Sequence, residues 1–206
     1  FGAQALRPMR LADPRAAFGL GIVAAAGLLA AGIPAGRAWT DPPAARSVTI
    51  GGPFMLTTAA GRRLSSADLA GRPYALFFGF TQCPDVCPTT LHDLSETLGA
   101  LGDGASAFRV FFVSVDPERD TPDLLSAYLG SFDPRITALT GSPSEIEATA
   151  AAFGATFRKV PTQDGYTMDH TATVYLMDSH GRFAGALDIH ESAEIRLAKL
   201  RRLLSR

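Results

Sequence analysis

The stretch Gly79-Phe80-Thr81-Gln82-Cys83-Pro84-Asp85-Val86-Cys87-Pro88 holds both cysteines of the chain, at the point where a short apolar run gives way to a helical pattern. Upstream, Tyr74-Ala75-Leu76-Phe77-Phe78 is bounded by Pro73 and Gly79 and reads as a buried strand. Downstream, Leu91, Leu94, Leu98 and Leu101 recur at helical spacing and make one apolar stripe. The thiols therefore belong to a strand-to-helix turn. Pro84 pushes Cys83 toward an extended backbone, and Pro88 is expected to do the same to Cys87 while opening the helix. The unpaired N–H groups and positive dipole end of a helix start favour thiolate over thiol. Thiolate is the form that attacks disulfides and binds soft metals.

Two cysteines cannot build a disulfide-rich scaffold, nor can they close a four-ligand zinc site without two further ligands. Three readings stay open for the pair: a structural disulfide, a redox couple, or part of a soft-metal site. A strand–helix turn flanked by two prolines is left unexplained by an inert disulfide. Two sulfurs at this spacing with one more donor suit copper, because thiolates select Cu(I) and an imidazole widens the site to Cu(II).

At 206 residues, 47% hydrophobic and 19% charged, the chain has enough apolar material for a packed domain and something greasier besides. The greasy part is Ala16 to Gly36, which carries no charge and is long enough to cross a bilayer. Arg7, Arg10 and Arg15 precede it, so the positive-inside bias keeps the N-terminus in the cytoplasm and exports the remainder. A cleaved signal peptide would have a shorter core and a clean small-residue cleavage site, and Gly36-Arg37-Ala38 does not supply one. The expected organisation is a cytoplasmic stub and anchor helix over residues 1–40, a linker over 41–47 containing Pro42-Pro43, and a globular domain over 48–206. Beyond residue 40 the chain has 15 basic and 19 acidic residues, a net of −4 with no basic stripe, which argues against nucleic acid as a partner.

Along the domain, Phe54–Thr57 and Arg63-Leu64 predict a hairpin, and Arg109–Val115 a second buried strand ending in Asp116-Pro117-Glu118-Arg119-Asp120. Thr121-Pro122 caps a helix whose inner face is Leu125, Tyr128, Leu129 and Phe132. Asp120 reads as part of that cap. Ile136–Leu139 is a short strand, and Ser142-Pro143-Ser144-Glu145 is a capping box for a helix lined by Ile146, Ala150 and Phe153. Thr156–Val160 predicts a strand, and residues 161–169 a loop able to open and close over a site. Thr171–Met177 and Arg182–Leu187 pair across Asp178-Ser179-His180-Gly181. The last helix starts near Ser192, with Ile195, Leu197, Leu200 and Leu204 toward the core. Buried strands alternating with helices, then a hairpin and a final helix, predict a three-layer α/β domain with a mixed central sheet.

Of the four histidines, His92 falls on the exposed side of the leucine stripe, His180 at a hairpin tip and His190 just before the last helix. His170 differs, because it lies between a polar loop and a buried strand, where a side chain can reach a neighbouring turn.

Three blocks in this order carry a family resemblance: the cysteine stretch, Ser114-Val115-Asp116-Pro117-Glu118-Arg119-Asp120-Thr121, and Asp169-His170-Thr171 with Tyr175-Leu176. Together they resemble the Sco/SenC family over about residues 48–204. That resemblance implies a membrane-anchored, thioredoxin-like copper protein that helps assemble the binuclear copper site of cytochrome c oxidase. It implies Cys83, Cys87 and His170 as ligands of one copper ion, Cu(I) or Cu(II), and Asp169 as the group that orients His170. Asp116 is placed beside the site, although a carboxylate before Pro117 also suits a plain turn cap. Implied partners are the copper-bearing oxidase subunit, a copper donor and a thiol reductant. The implied location is the inner membrane, single-pass with the domain on the periplasmic side, or the mitochondrial inner membrane facing the intermembrane space. A thiol–disulfide oxidoreductase using Cys83 and Cys87 as a redox pair is the competing function. General thioredoxins usually place two residues between their cysteines, and here there are three.

Overall fold

All six residues of β3 (Tyr74–Gly79) are buried, as a strand covered on both faces requires. It pairs in parallel with β4 (Arg109–Ser114) on one side and antiparallel with β8 (Val174–Met177) on the other. These elements belong to a computed structural model that describes residues 49–188 and 190–205. The expected anchor over 1–40 and linker over 41–47 lie outside the described residues. β1 (Met55–Thr58), β2 (Arg63–Ser65), β5 (Ile136–Thr140) and β9 (Phe183–Leu187) complete a seven-stranded mixed sheet in the order β2-β1-β5-β4-β3-β8-β9.

The period-two alternation of β3 divides the core. Ala75 and Phe77 face α1 (Val86–Leu101), α2 (Pro122–Leu129) and α4 (Ala193–Leu204). Leu76 and Phe78 face the opposite layer, which contains α3 (Pro143–Ala152) and the separate hairpin of β6 (Phe157–Thr162) and β7 (Gly165–His170). The result is the expected three-layer α/β architecture. Thr121 accepts from the Leu124 N–H to start α2, and Ser142 with Glu145 closes the predicted capping box of α3. Among the described residues no helix is long and apolar enough to cross a membrane.

Three local expectations change. First, α1 begins at Val86, so Cys87 lies inside its first turn rather than before it. Pro88 is tolerated there because the first N–H groups of a helix have no intrahelical partner to lose. Second, most of the expected 161–169 loop is strand. The β6–β7 hairpin turns at Gln163-Asp164 with Gly165 at a φ of 137°, and its exposed outer face disguises it as a polar loop. Third, α4 is rotated from the predicted stripe: Arg196, Leu200 and Leu203 are buried while Ile195 is 49% exposed. Arg196 can face inward because Asp93 of α1 meets it at 3.1 Å.

β3 has one neighbour reached by the α1 crossover and another, β8, on its opposite side. Its C-terminal end is therefore a switch point, where open α/β sheets form clefts. Gly79 occupies that end. A Cβ there would stand 2.5 Å from Phe112 Cε2 and 2.7 Å from Cys87 Sγ, so the strand end meets helix and sheet with no room for a side chain. We predict that Gly79→Ala lowers stability in urea unfolding by about 1–3 kcal/mol, the usual cost of overpacking a close-packed site.

Candidate metal centre

Cys83 and Cys87 reach the same place by different routes. Cys83 follows β3 through a turn in which its N–H donates to the Phe80 carbonyl at 3.2 Å, and its side chain is half-buried. Cys87 is carried inward by the first turn of α1 and is fully buried against the apolar layer. Asp85, the residue before α1, makes no side-chain cap. The Cys83 sulfur takes that place, accepting from the Cys87 N–H at 3.4 Å. A helix start thus points an otherwise unpaired donor at one of the two sulfurs.

His170 ends β7, and the hairpin delivers it over the pair. Its Nδ1 lies 3.1 Å from the Thr171 carbonyl, which can only accept, so Nδ1 holds the proton and Nε2 is free to accept or ligate. Nε2 lies 3.5 Å from Cys87 Sγ. The ring meets Phe77 and Phe80 edge-on, at centroid distances of 6.3 and 5.7 Å. The two sulfurs and an imidazole nitrogen all fall within 4.8 Å of one another, and neither cysteine is in a disulfide. Three donors of this kind fit a soft-metal site: two thiolates for Cu(I), with an imidazole that also accommodates Cu(II).

The acids act differently from expectation. Asp169 does not orient His170. Adjacent strand residues face opposite ways, so Asp169 points outward and pairs with Arg158, its cross-strand partner, at 3.0 Å while the Thr171 carbonyl holds the ring. Asp116 is no simple cap: it is buried and accepts from Arg119 Nε at 2.5 Å and from the Tyr166 hydroxyl at 2.8 Å. Asp120 leaves the capping of α2 to Thr121. It is buried and accepts from the Thr81 N–H at 3.1 Å, the Thr81 hydroxyl at 2.5 Å and the Ser114 hydroxyl at 2.6 Å. Arg119, Asp120 and Tyr166 are the supporting residues that sequence reasoning passed over. The signal available was the run of charges directly after a buried strand, which has to be satisfied internally if the strand end is covered. His92, His180 and His190 are exposed and take no part in the cluster.

The two thiols share their protons unequally. Hydrogen bonding from the Cys87 side chain, joined by the Cys87 N–H, lowers the Cys83 thiol from 9.0 to about 3, so Cys83 is a thiolate at neutral pH. The same donated hydrogen bond, together with burial, pushes the Cys87 thiol up. The accessible sulfur is thus the charged one and the buried sulfur holds the proton.

Comparison with known proteins adds to this geometry. The SCO1/SenC family model matches residues 42–205. Protein SCO1 homolog 1, mitochondrial, of Arabidopsis thaliana is 38% identical over 145 residues, covering 69% of this chain and 43% of its own length. Bradyrhizobium japonicum ScoI, solved with copper bound, superposes with a TM-score of 0.70 at 48% identity, over 75% of this chain and 99% of that one. BsSco, a member of the Sco family of cytochrome c oxidase assembly proteins in which a disulfide switch was identified, superposes at 0.61 with 26% identity, over 76% and 94% of the two chains. These likenesses make the α/β domain thioredoxin-like. The chain spans about half the length of the first curated relatives it matches, 43% and 53% of theirs.

The charge division between the sulfurs has a measurable consequence. Alkylation of the reduced chain by iodoacetamide is expected to label Cys83 well ahead of Cys87. Its rate should stay nearly flat from about pH 5 to 8, because a pKa near 3 leaves thiolate throughout. Mass spectrometry of the labelled peptides reads both. A rate that climbs about tenfold per pH unit would show an ordinary thiol instead.

Proposed function

The chain belongs to the SCO1/SenC family, and on that premise we propose that it is a copper metallochaperone. Cys83, Cys87 and His170 bind one copper ion and pass it to the binuclear copper site of cytochrome c oxidase during assembly. The observation that carries this reading is the convergence of two sulfurs outside any disulfide and one imidazole nitrogen at the C-terminal end of β3. In it, Cys83 supplies the accessible thiolate and is the first ligand to engage an incoming ion or an acceptor's sulfur. Cys87 gives up its proton on binding and supplies a buried second sulfur. His170 completes the set from a separate hairpin, so it can be exchanged without disturbing the cysteine turn. The copper-bound structure of the relative from Bradyrhizobium japonicum supports the choice of metal.

A thiol–disulfide reductase is the second reading, favoured by the contrast between half-buried Cys83 and buried Cys87. The Cys83 thiolate would attack a partner disulfide and release one partner thiolate. Cys87, losing its proton, would then attack the Cys83 sulfur and release the second. The partner gains two electrons and the chain is left with a Cys83–Cys87 disulfide.

His170→Ala separates the two. In copper titration of the reduced chain against a competing chelator, the substitution is expected to weaken Cu(II) binding on the order of 100-fold. Reduction of insulin disulfides should continue near the unmodified rate. Weak copper binding indifferent to His170 would transfer the assignment to the reductase.

The same proposal places Ala16–Gly36 across the inner membrane, residues 41–47 as a linker, and the domain from residue 48 on the periplasmic or intermembrane side. The full chain is expected to stay with carbonate-washed membranes, and a chain lacking residues 1–40 to be released into the supernatant. A released chain shortened at its N-terminus would show a cleaved leader.

A further inference from the structure

His170 and the cysteines are carried by parts of the chain that share no strand pairing. The cysteines sit between β3 and α1 of the main sheet, whereas His170 ends a hairpin that forms its own two-stranded sheet. Something must hold these two pieces at a set distance.

Arg119 touches both. Its Nη1 donates to the Gln82 Oε1 at 2.9 Å, next to Cys83, and to the Tyr166 carbonyl at 2.8 Å, on β7 four residues before His170. Its guanidinium lies 3.7 Å from the Tyr166 ring centroid and 5.9 Å from that of Phe80, and Phe80 is itself edge-on to the His170 ring. Nε is anchored on Asp116, which also receives the Tyr166 hydroxyl. The same segment ends in Asp120, which grips Thr81 of the cysteine turn. Lys159 adds a second cation near the Tyr166 ring at 4.6 Å and pairs with Glu118 at 2.5 Å.

We infer that Arg119 is a positioning residue of this site, bridging the cysteine turn and the hairpin so that His170 Nε2 stays on the two sulfurs. Arginine is required because one flat, forked cation can stack on Tyr166 while donating in the plane to Asp116, Gln82 and a carbonyl. A lysine ammonium is a point donor and cannot do both. The consequence for metal rests on the copper reading above, but the placement of the ring does not.

The test uses the full chain in detergent, reduced and metal-free, with Arg119→Lys, Arg119→Gln and the milder Tyr166→Phe. Diethyl pyrocarbonate labels accessible neutral imidazoles, and peptide mass spectrometry reads each histidine separately. His170 is expected to be labelled about tenfold faster in both Arg119 variants, with a smaller rise in Tyr166→Phe, through freer local opening of the hairpin. His92 and His180 serve as internal controls and should not change, and neither should the rate of Cys83 alkylation. In copper titrations Cu(II) affinity should fall about 10–100-fold, the usual effect of losing a group that orients a ligand, and Cu(I) affinity should fall much less. An unchanged His170 rate overturns the inference. So does Arg119→Lys behaving like the unmodified chain, which would reduce Arg119 to a counter-charge for Asp116. Equal acceleration at every histidine and at Cys83 also overturns it, because the loss would then be of the whole domain. If the unmodified chain binds no copper, the copper reading falls, and the His170 labelling rates still decide the role of Arg119.

Discussion

Asp120 is a buried carboxyl group that accepts hydrogen bonds from Thr81, just past β3, and from Ser114 at the end of β4. Burying a charge is costly unless it is fully hydrogen-bonded, so this arrangement persists only while both strand ends stay in place. It ties the turn that carries Cys83 to the loop that follows the neighbouring parallel strand. It works beside the Val115 N–H bond to the Gly79 carbonyl at 2.9 Å and the Arg119 bond to Gln82, and with them holds the cysteine turn at the open end of the sheet. The remaining features of the site assume it.

With the turn held, the start of α1 sets the chemistry. The helix brings Cys87 against Gly79, where only the absence of a Cβ allows the sulfur so near the strand. It also aims an unpaired N–H at the Cys83 sulfur, and Cys87 adds its own proton. One sulfur is left accessible and charged, the other buried and protonated. That asymmetry fits both exchanges proposed above, because each begins with a nucleophilic sulfur at the surface and finishes with a second one behind it. In the copper reading proposed above, His170 is what tips the pair toward metal, since an imidazole with Nδ1 against a carbonyl presents Nε2 as a ready donor.

The hairpin that brings His170 is the least self-evident part of the fold. Among the described residues β6 and β7 pair only with each other, and their outer face is exposed. The inner face is pinned by Met168 in the core and by Tyr166 against Arg119 and Asp116.

Much of this was legible in the chain itself. The buried strands, the leucine stripe of α1, the caps of α2 and α3 and the strand-to-helix position of the thiols all depend on local pattern, and local pattern survives folding. The three sequence blocks identified the family and, through it, Cys83, Cys87 and His170. What the sequence could not disclose were relations between residues far apart in the chain. The 161–169 region reads as a polar loop because one face of its hairpin is solvated, and only the partner strand reveals it. Arg196 breaks the apolar phase of α4 because Asp93, on another helix, neutralises it. Asp169 looks like the natural support for His170 because the two are adjacent in sequence, yet the strand's alternation turns them to opposite faces. The groups that hold the site, Asp120 on Thr81 and Arg119 on Gln82 and Tyr166, span 39, 37 and 47 residues. Residue type and spacing determined which atoms could bind a soft metal, and only the packing of separate elements decided which of them meet, because that distance is set by contacts no local window contains.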